Sequence, residues 1–238
     1  MLPIIQNLAK ENKTEIIYPD SDGKHMADNT LQFKLIVLLV TGLSALYDDE
    51  NVFVAGDLLW YPIEGNPKKC VAPDCLVAIG RPRKDRGSYK QWEEENIPPQ
   101  VVFEVLSPSN THAEMAQKAM FYDKFGVEEY YVLDPEKPYF EVWIRYDKDL
   151  ELIDSKQTMW TSKLLGIKLV IIDEKLRIFN PNGSRFLTYT ESLKAKAIEI
   201  EARQKAEAEQ QKAEAENLKL LTLLKNLGID PKTGQKIG

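Results

Sequence analysis

Histidine and cysteine are scarce in this chain of 238 residues, which contains two of each. Cys70 and Cys75 lie five positions apart without a CxxC spacing, so we interpret them as reduced, partly buried small residues rather than as a disulfide or part of a zinc site. His25 and His112 are far apart, and no HExxH or HxH motif accompanies them. These absences argue against a histidine-rich zinc site and a Ser-His-Asp triad.

The sequence also lacks any apolar run long enough to span a membrane. Its first residues, MLPIIQNLAKENKTE, do not form the basic region followed by a long apolar stretch that a secretory signal peptide needs. We therefore expect a cytoplasmic protein with no membrane partner.

An excess of positive charge is missing as well, since the net charge is −6. Residues 191–238 contain nine Lys and Arg residues against eight Asp and Glu residues, so the acidic excess lies in residues 1–190. Any affinity for nucleic acid must therefore come from a local basic patch and not from the overall field. With 43% hydrophobic residues, the chain is long enough for one sizeable core plus an appendage.

The first half of the chain is predicted to contain one helix followed by strands. After a polar, turn-rich entry loop, the helix is expected to begin near Asp28 or Asn29, either of which is a suitable N-cap. Residues 51–62 and 71–80 are rich in aliphatic and aromatic residues and are predicted to be neighbouring strands joined by a hairpin. Residues 101–107 form a short apolar run between prolines, which indicates a central strand.

The second half begins with a predicted helix at residues 112–125, which Gly126 ends. The segments EEYYVLDP and YFEVWIRYD are then predicted to be two strands, whereas residues 150–190 contain only short strand-like runs. From Glu191 to about Leu227 there is no Gly or Pro, and Ala, Glu, Lys, Gln and Leu dominate. This composition predicts one long helix.

We therefore expect a domain at residues 1–190 and a long helix with a short tail at residues 191–238. The helix has a seam with alternating spacings of four and three residues, as in a coiled coil: Ala206, Gln210, Ala213, Asn217, Leu220, Leu224 and Leu227. The first half of this seam is polar or small. A solvated single helix and a pairing helix, in a homodimer or on a partner helix, therefore both remain open.

Two acidic residues stand at unusual places in the predicted strands. Glu104 lies in VVFEVL, where every neighbour is apolar, and burying an unpaired carboxylate costs several kcal/mol. Asp74 follows Pro73, which favours an extended approach to the second apolar strand. Glu104 alone is equally compatible with a solvated strand face or a buried ion pair. Two acids converging from adjacent strands would instead bind a hard cation such as Mg²⁺ or Mn²⁺.

Together these residues resemble the PD-(D/E)XK nuclease superfamily and, within it, the Uma-two family of restriction endonucleases. The resemblance spans about residues 50–185. It depends on the Pro-Asp pair at 73–74, on PPQVVFEVLSPSN at 98–110, on Lys118 to Tyr122, and on GVEEYYVLDP at 126–135.

The resemblance implies an α/β, restriction-endonuclease-like domain, with a mixed sheet flanked by helices. It also implies that Asp74 and Glu104 bind the metal ion, that the Val105 carbonyl adds a ligand, and that water and a phosphate oxygen complete the coordination. Asp57, on the preceding apolar strand, is either an outer ligand or acceptor of this site or an ordinary exposed acid of the hairpin.

The superfamily's lysine, two residues after the acid, is replaced here by Leu106. Lys118 on the following helix matches a lysine of the Uma-two pattern, and we predict that it takes over the catalytic role. Tyr122 completes a K-x-x-x-Y pattern one turn later, and Ser107 is positioned to orient a phosphate or water. The alternative for Lys118 is an ordinary surface pair with Glu114 at a spacing of four residues, which stabilises a helix by only a few tenths of a kcal/mol.

A basic loop, RPRKDRGSYK, follows the Asp74 strand and is a candidate for contacts to a phosphate backbone. Its candidate contact residues are Arg81, Arg83, Lys84, Arg86 and Lys90. Three glutamates at 93–95 follow this loop and would weaken its field. A solvated charged loop is therefore the competing interpretation.

The sequence thus predicts Mg²⁺-dependent hydrolysis of phosphodiester bonds, with DNA as the expected substrate. One alternative is a protein that keeps the fold without turnover and works as a nucleic-acid-binding or coiled-coil module. The family's N-terminal Tyr-Glu-Leu stretch appears here as YPDSDG without the Glu, which would fit a slower or inactive member. Another alternative is a hydrolase of small phosphorylated compounds, which requires an enclosed pocket. The nuclease requires Asp74, Glu104 and Lys118 within ~5 Å of one ion position.

Overall fold

The computed structural model describes residues 16–23, 25–47, 51–153, 157–232 and 235–236. Its three α-helices are α1 (Thr30–Leu46), α2 (His112–Lys124) and α3 (Tyr189–Asn226), and a 3₁₀ helix covers Gln91–Glu94. The strands are β1 (Val52–Ala55), β2 (Trp60–Tyr61), β3 (Cys75–Ile79), β4 (Tyr89–Lys90), β5 (Val101–Val105), β6 (Glu129–Asp134), β7 (Tyr139–Tyr146), β8 (Asp149–Leu152), β9 (Met159–Thr161), β10 (Lys168–Ile172) and β11 (Lys175–Phe179).

The main sheet has six strands in the order β1-β3-β5-β6-β7-β8. Only the central β5–β6 pair is parallel, because α2 connects these two strands as a crossover, whereas the other neighbours are antiparallel. Strands β9 to β11 form a separate antiparallel sheet, and β2 pairs with β4 in parallel. The predicted mixed sheet with flanking helices is therefore confirmed.

The two faces of the main sheet are covered by different helices. Ile36, Leu39 and Leu43 of α1 recur at helical spacing and pack with Val101 and Phe103 in one buried cluster. Val102 and Tyr130 point to the opposite face and pack with Phe121 and Tyr122 of α2. Because successive strand residues alternate between faces, Glu104 lies on the same face as Val102, beneath α2.

The ends of the helices follow from their capping residues. The Asn29 side chain accepts hydrogen bonds from the backbone N–H groups of Leu31 and Gln32, so the first helix begins at one of the two predicted caps. At α2, Thr111 and Glu114 form a reciprocal capping box. Gly126 follows α2 with a φ of 87°, a left-handed conformation that glycine adopts without strain.

The predicted hairpin between residues 51–62 and 71–80 is wrong in part. Strands β1 and β3 are antiparallel neighbours, as expected. However, the connecting segment also contains β2, whose residues Trp60 and Tyr61 are fully buried and pair with β4. Burial of these two large rings draws the segment away from the sheet edge and against the loop that follows β3.

The chain divides into two compact units, with the boundary between Phe186 and Leu187. The second unit, Leu187–Gly238, contains α3 with its N-cap residue Thr188. This helix begins at Tyr189, two residues before the predicted start, because Thr188 and Glu191 form a capping box there. None of the residues of α3, all of which the structure describes, is buried. Pairing of this helix with another copy or with a partner helix stays a prediction.

Among the described residues, no helix combines the length and apolar character that crossing a membrane would require.

Gly42 lies where α1 meets the end of the first unit, and its missing side chain makes this contact possible. A Cβ atom built at Gly42 would lie 2.3 Å from Cδ2 of the buried Phe186 ring. We predict that Gly42→Ala lowers the free energy of unfolding by about 1–3 kcal/mol, because the ring must shift within a packed core. Urea unfolding measures this change.

A second background separates the clash from the helix propensity of alanine. In Phe186→Leu, where the ring is absent, Gly42→Ala should instead be neutral or stabilise the protein by up to about 1 kcal/mol. Destabilisation of the same size in both backgrounds would contradict the proposed contact.

Candidate metal centre

The sheet register brings Asp74 and Glu104 together. Cys75 of β3 pairs with Phe103 of β5 in antiparallel register, so the residues one step further along, Asp74 and Glu104, lie opposite each other. Asp74 stands directly before β3, at the rim of the sheet, whereas Glu104 is within β5 and only 2% exposed. The predicted convergence of two acids from adjacent strands is therefore present in the structure.

Both oxygens of the buried Glu104 carboxylate accept hydrogen bonds from α2. The Lys118 Nζ atom donates to Oε2 at 2.6 Å, and the Tyr122 hydroxyl donates to Oε1. Lys118 and Tyr122 are four residues apart on one helix, so both side chains reach the same carboxylate. The ion pair with Glu104 is thus a close contact of Lys118, while Glu114, the partner in the predicted alternative, forms the capping box and also raises the pKa of Lys118 by its charge.

The Asp74 carboxylate accepts a backbone hydrogen bond and is repelled by the neighbouring Glu104 carboxylate. The Val105 N–H group donates to Asp74 Oδ2 at 2.6 Å, which fixes the orientation of the carboxylate. Burial, followed by the negative charge of Glu104, raises the pKa of Asp74 to about 8, although this hydrogen bond and the charge of Lys118 oppose the shift. Near neutral pH, Asp74 therefore keeps a proton unless a cation offsets the repulsion.

The electrostatics of the two α2 residues limit what they do chemically. Burial lowers the pKa of Lys118, but the charge of Glu104 and the hydrogen bond to it raise this pKa more, so the net shift is upward. Burial and the nearby charge of Glu104 likewise raise the pKa of Tyr122. Lys118 is therefore a persistent cation and Tyr122 a neutral donor, and neither is suited to be a general base.

Gln32 of α1 also reaches this site, and the sequence analysis missed it. Its amide donates to the Val105 carbonyl at 2.9 Å, and its amide oxygen accepts from the Asp28 N–H group at 2.8 Å. The Val105 carbonyl therefore has one lone pair engaged and one remaining. Gln32 could have been noticed in the sequence because it is a polar residue on the apolar face of the first predicted helix, four positions before Ile36.

Ser107 is engaged in a network of its own at the end of β5. Its hydroxyl donates to Asp28 Oδ2 at 2.7 Å and contacts the hydroxyl of Ser109 at 2.9 Å, while its N–H group donates to Asn110 Oδ1 at 2.8 Å. Hydrogen bonds from Ser109 and Ser107 lower the pKa of Asp28. These contacts make Ser107 a positioning residue for the loop before α2, and the predicted contact to phosphate or water stays a prediction.

Asp57 lies near the two acids without joining them. Its N–H group donates to the Pro73 carbonyl at 3.0 Å, next to Asp74 in the chain. Burial and the charge of Asp22 raise the pKa of Asp57, and Lys118 is close enough to lower it. However, among the described residues no group of three or more His, Cys, Asp or Glu side chains could hold a metal ion. The geometry therefore fits an outer position for Asp57 better than a direct ligand.

The donor set of the site fits a hard divalent cation. Asp74 and Glu104 provide carboxylate oxygens, and the Val105 carbonyl adds a neutral oxygen, which are the ligands that Mg²⁺ and Mn²⁺ prefer. A cation would also relieve the repulsion that raises the pKa of Asp74. Two protein carboxylates leave several coordination positions for water or a phosphate oxygen.

The basic loop after β3 folds against its own glutamates. Glu94 is 3% exposed and accepts from Arg81 at 3.2 Å and from Arg86 at 2.7 Å, with Lys84 at 3.6 Å. Lys90 pairs with Glu93 at 3.3 Å. The Arg86 guanidinium also lies 3.9 Å from the centre of the Phe53 ring.

Two of the predicted nucleic-acid contact residues, Arg81 and Arg86, are thus buried in ion pairs with Glu94. Arg81 is 7% exposed and the Arg86 side chain 4% exposed, so neither presents its charge to solvent. The prediction that Arg81 and Arg86 contact a phosphate backbone does not fit this burial. The exposed basic residues of the loop are Arg83 and Lys84, whereas Lys90 is half-buried, and contacts of these three residues to nucleic acid stay predictions.

The raised pKa of Asp74 predicts how stability depends on pH in the metal-free protein. An acid whose pKa is higher in the folded state contributes stability that is complete below its ordinary pKa of ~3.9 and is lost as the pH rises through about 8. Asp74→Asn removes this ionisation but keeps an oxygen that accepts from Val105. Urea unfolding with EDTA between pH 5 and 9 should show a steeper loss of stability in the parent than in the variant. Equal slopes would contradict the raised pKa.

Comparisons with known proteins place the chain in a family. A family model described as "Putative restriction endonuclease", Uma2, matches residues 13–172, which is more than half of the chain. A search of curated proteins finds no match. Among solved structures, one described as "a putative nuclease belonging to DUF820 from Anabaena variabilis ATCC 29413" has 15% sequence identity and a TM-score of 0.44, and the match covers 58% of this chain and 75% of that one.

The matched residues contain Asp74, Glu104, Lys118 and Tyr122, together with the whole main sheet. The resemblance drawn from the sequence motifs is confirmed: the chain belongs to the Uma2 family, whose model carries the description "Putative restriction endonuclease".

Proposed function

We propose that the protein is a divalent-metal-dependent nuclease that hydrolyses phosphodiester bonds, with DNA as its substrate. The observation that carries this proposal is the arrangement of Asp74, Glu104 and Lys118 at one rim of the sheet, with Lys118 Nζ 2.6 Å from Glu104 Oε2. Membership in a restriction-endonuclease family supports a nuclease function. A scaffold without turnover has no need for a buried acid pair beside a lysine.

In this proposal, Asp74, Glu104 and the Val105 carbonyl hold the ion. When bound, a divalent cation there lowers the pKa of a coordinated water and neutralises charge on the phosphate. Hydrolysis forms a bond from the water oxygen to phosphorus, breaks the bond from phosphorus to the leaving oxygen, and transfers a proton to that leaving oxygen.

The α2 residues position the acids and supply charge. Lys118 keeps its proton, so its ammonium group stabilises negative charge that develops on the phosphate and serves as a hydrogen-bond donor. Tyr122 and Lys118 hold both oxygens of Glu104 in place. Gln32 orients the Val105 carbonyl from the opposite side of the sheet. Orientation of ligands by neighbouring hydrogen bonds is a general feature of catalytic metal sites.

The first test is Glu104→Gln in a plasmid and oligonucleotide cleavage assay with Mg²⁺ or Mn²⁺. We expect cleavage to fall at least about 100-fold, the loss typical of removing a group that acts on charge in the transition state. Asp149→Asn, which changes an exposed acid at the start of β8, is the matched control and should cleave like the parent. Equal activity of parent and Glu104→Gln would discard the mechanism.

Metal binding can be measured without turnover. Saturating Mg²⁺ or Mn²⁺ should raise the melting temperature of the parent at pH 8, by the linkage between binding and folding. Glu104→Gln and Asp74→Asn should lose most of this increase, whereas Asp149→Asn should keep it. An increase of the same size in all four proteins would place the bound metal elsewhere.

Lys118 is tested with a matched pair on the same helix. Lys118→Met should reduce cleavage about 100-fold, because the charge beside the phosphate is lost, while Lys124→Met should not. Both substitutions replace a lysine of α2 by methionine, so they are chemically identical. Lys124 is exposed near the end of the helix and therefore serves as the control.

The stabilisation by Mg²⁺ separates loss of charge from loss of the metal site. Lys118→Met should retain it, because both carboxylates remain. Loss of Mg²⁺ stabilisation together with cleavage would show that Lys118 supports metal binding and not catalysis.

A further inference from the structure

A cleft of about 820 Å³ opens between α2 and the strands β6 and β7, close to the acid pair. This volume lies within the ~300–1,000 Å³ typical of small-molecule pockets. The residues that matter here line it from the helix and from the sheet: Met115, Ala116, Ala119, Tyr130, Tyr139 and Trp143. Three aromatic rings on the sheet thus face a helix wall of small and flexible side chains.

The cleft adjoins the candidate metal centre through the sheet register. Glu104 of β5 pairs with Val132 of β6, and Val132 pairs with Glu141 of β7. Glu141 therefore lies two strands from Glu104, a separation of ~10 Å at the usual strand spacing. A nucleotide next to a phosphate bound at Glu104 would be within reach of this cleft.

Tyr130 lies between the two regions and carries a polar group with no partner. The ring of Tyr130 contacts that of Tyr122, with centroids 5.0 Å apart, and Tyr122 donates to Glu104. Tyr130 is 1% exposed, and its hydroxyl has no hydrogen-bond partner among the described residues. A buried hydroxyl without a partner costs free energy, which a polar ligand group that reached it from the cleft would offset.

The carboxylates that line the cleft disfavour binding of a phosphate and favour binding of a nucleobase. Glu141 accepts from the Tyr139 hydroxyl at 2.6 Å and from the Trp143 indole at 3.1 Å, and each of its oxygens retains a lone pair. Asp134 and Glu136 add further carboxylates, against one lysine, Lys137. Carboxylates repel phosphate but accept hydrogen bonds from the exocyclic amino groups of adenine and cytosine.

We propose that this cleft binds an unpaired nucleobase of the nucleic-acid substrate, next to the phosphate that is cleaved. The inference rests on the proposed nuclease function and adds a base-binding subsite to it. Aromatic side chains stack on bases in single-stranded and flipped-out nucleotides, and polar groups at the end of such pockets contact the base edge. Tyr139 and Trp143 supply the stacking surface, and Tyr130 and Glu141 the polar contacts.

The test compares two labelled DNA duplexes that carry one bulged position. In the first the bulged residue is adenine, and in the second it is an abasic residue. Fluorescence polarisation measures their affinity for the full chain with Glu104→Gln, which does not cleave in the proposed mechanism. We expect the adenine bulge to bind at least about tenfold more tightly, within the range that one stacked base contributes.

Two variants in the Glu104→Gln background, each with a control variant, test whether the base binds in the cleft. Ala116→Leu fills the cleft from an exposed helix position and should abolish the preference for adenine, whereas Ala113→Leu, exposed on the same helix but outside the cleft, should keep it. Tyr130→Phe should reduce the preference several-fold without lowering the melting temperature. Ser88→Ala removes a buried hydroxyl that likewise has no partner among the described residues and does not line the cleft, so it should leave the preference unchanged.

The outcomes separate this inference from the nuclease proposal. Equal affinity for adenine and abasic bulges, in a protein whose parent cleaves DNA, overturns the base subsite alone. A preference that survives Ala116→Leu places the base elsewhere and also overturns it. If the parent does not cleave DNA but the adenine bulge still binds more tightly, and Ala116→Leu abolishes this preference, the nuclease mechanism is overturned and the base subsite is supported. Absence of binding to either duplex overturns the base subsite, and together with absence of cleavage by the parent it overturns both proposals.

Discussion

Burial of the Glu104 carboxylate is the constraint on which the arrangement of this site depends. A carboxylate in the middle of a central strand, 2% exposed, requires hydrogen bonds or opposite charge on the face of the sheet where it points. Helix α2 meets this requirement with Lys118 and Tyr122, one donor for each oxygen. The crossover between β5 and β6 is therefore more than a connection, since it covers the acid that the preceding strand buries.

The second acid distinguishes this region from a simple structural ion pair. Asp74 lies opposite Glu104, and the lysine that compensates Glu104 is already engaged at 2.6 Å. Burial and the charge of Glu104 raise the pKa of Asp74 to about 8, a kind of shift that clusters at functional sites. Elements on both sides of the sheet fix this arrangement, because Lys118 and Tyr122 of α2 hold Glu104 from one face and Gln32 of α1 holds the end of β5 from the other. Such support is what a precisely held catalytic group requires.

The parts of the site that the sequence predicted are those that depend on local pattern. An acid within an apolar strand, a Pro-Asp at the start of another, and a Lys and a Tyr one helical turn apart are visible as spacing alone. Their convergence then follows from strand adjacency and from the β5-α2-β6 crossover. The start of the first helix at Asn29 was also predictable, since capping is local.

The parts that escaped prediction depend on pairing over long distances in the fold. Arg81 and Arg86 looked like solvent-exposed charges because sequence gives their sign but not their partner. The 3₁₀ helix turns Glu94 back into the loop, which converts a basic patch into a buried ion-pair cluster. Gln32 was overlooked for a related reason. Gln32 takes part in the site through its hydrogen bond to the Val105 carbonyl, 73 positions away, and no local sequence pattern predicts that contact.

The charge balance of the site explains how two acids coexist with a stable fold before any ion is bound. With Lys118 protonated and a proton retained on Asp74 near neutral pH, the buried cluster of Asp74, Glu104 and Lys118 is close to electrically neutral. Binding a divalent cation in the proposed mechanism replaces the Asp74 proton, so binding and proton release are coupled. The same low-dielectric surroundings that raise the pKa of Asp74 would strengthen its attraction to the cation. In this proposal, the energetic cost of the acid pair in the metal-free protein would become affinity for the cation, and the charge of Lys118 limits that cost.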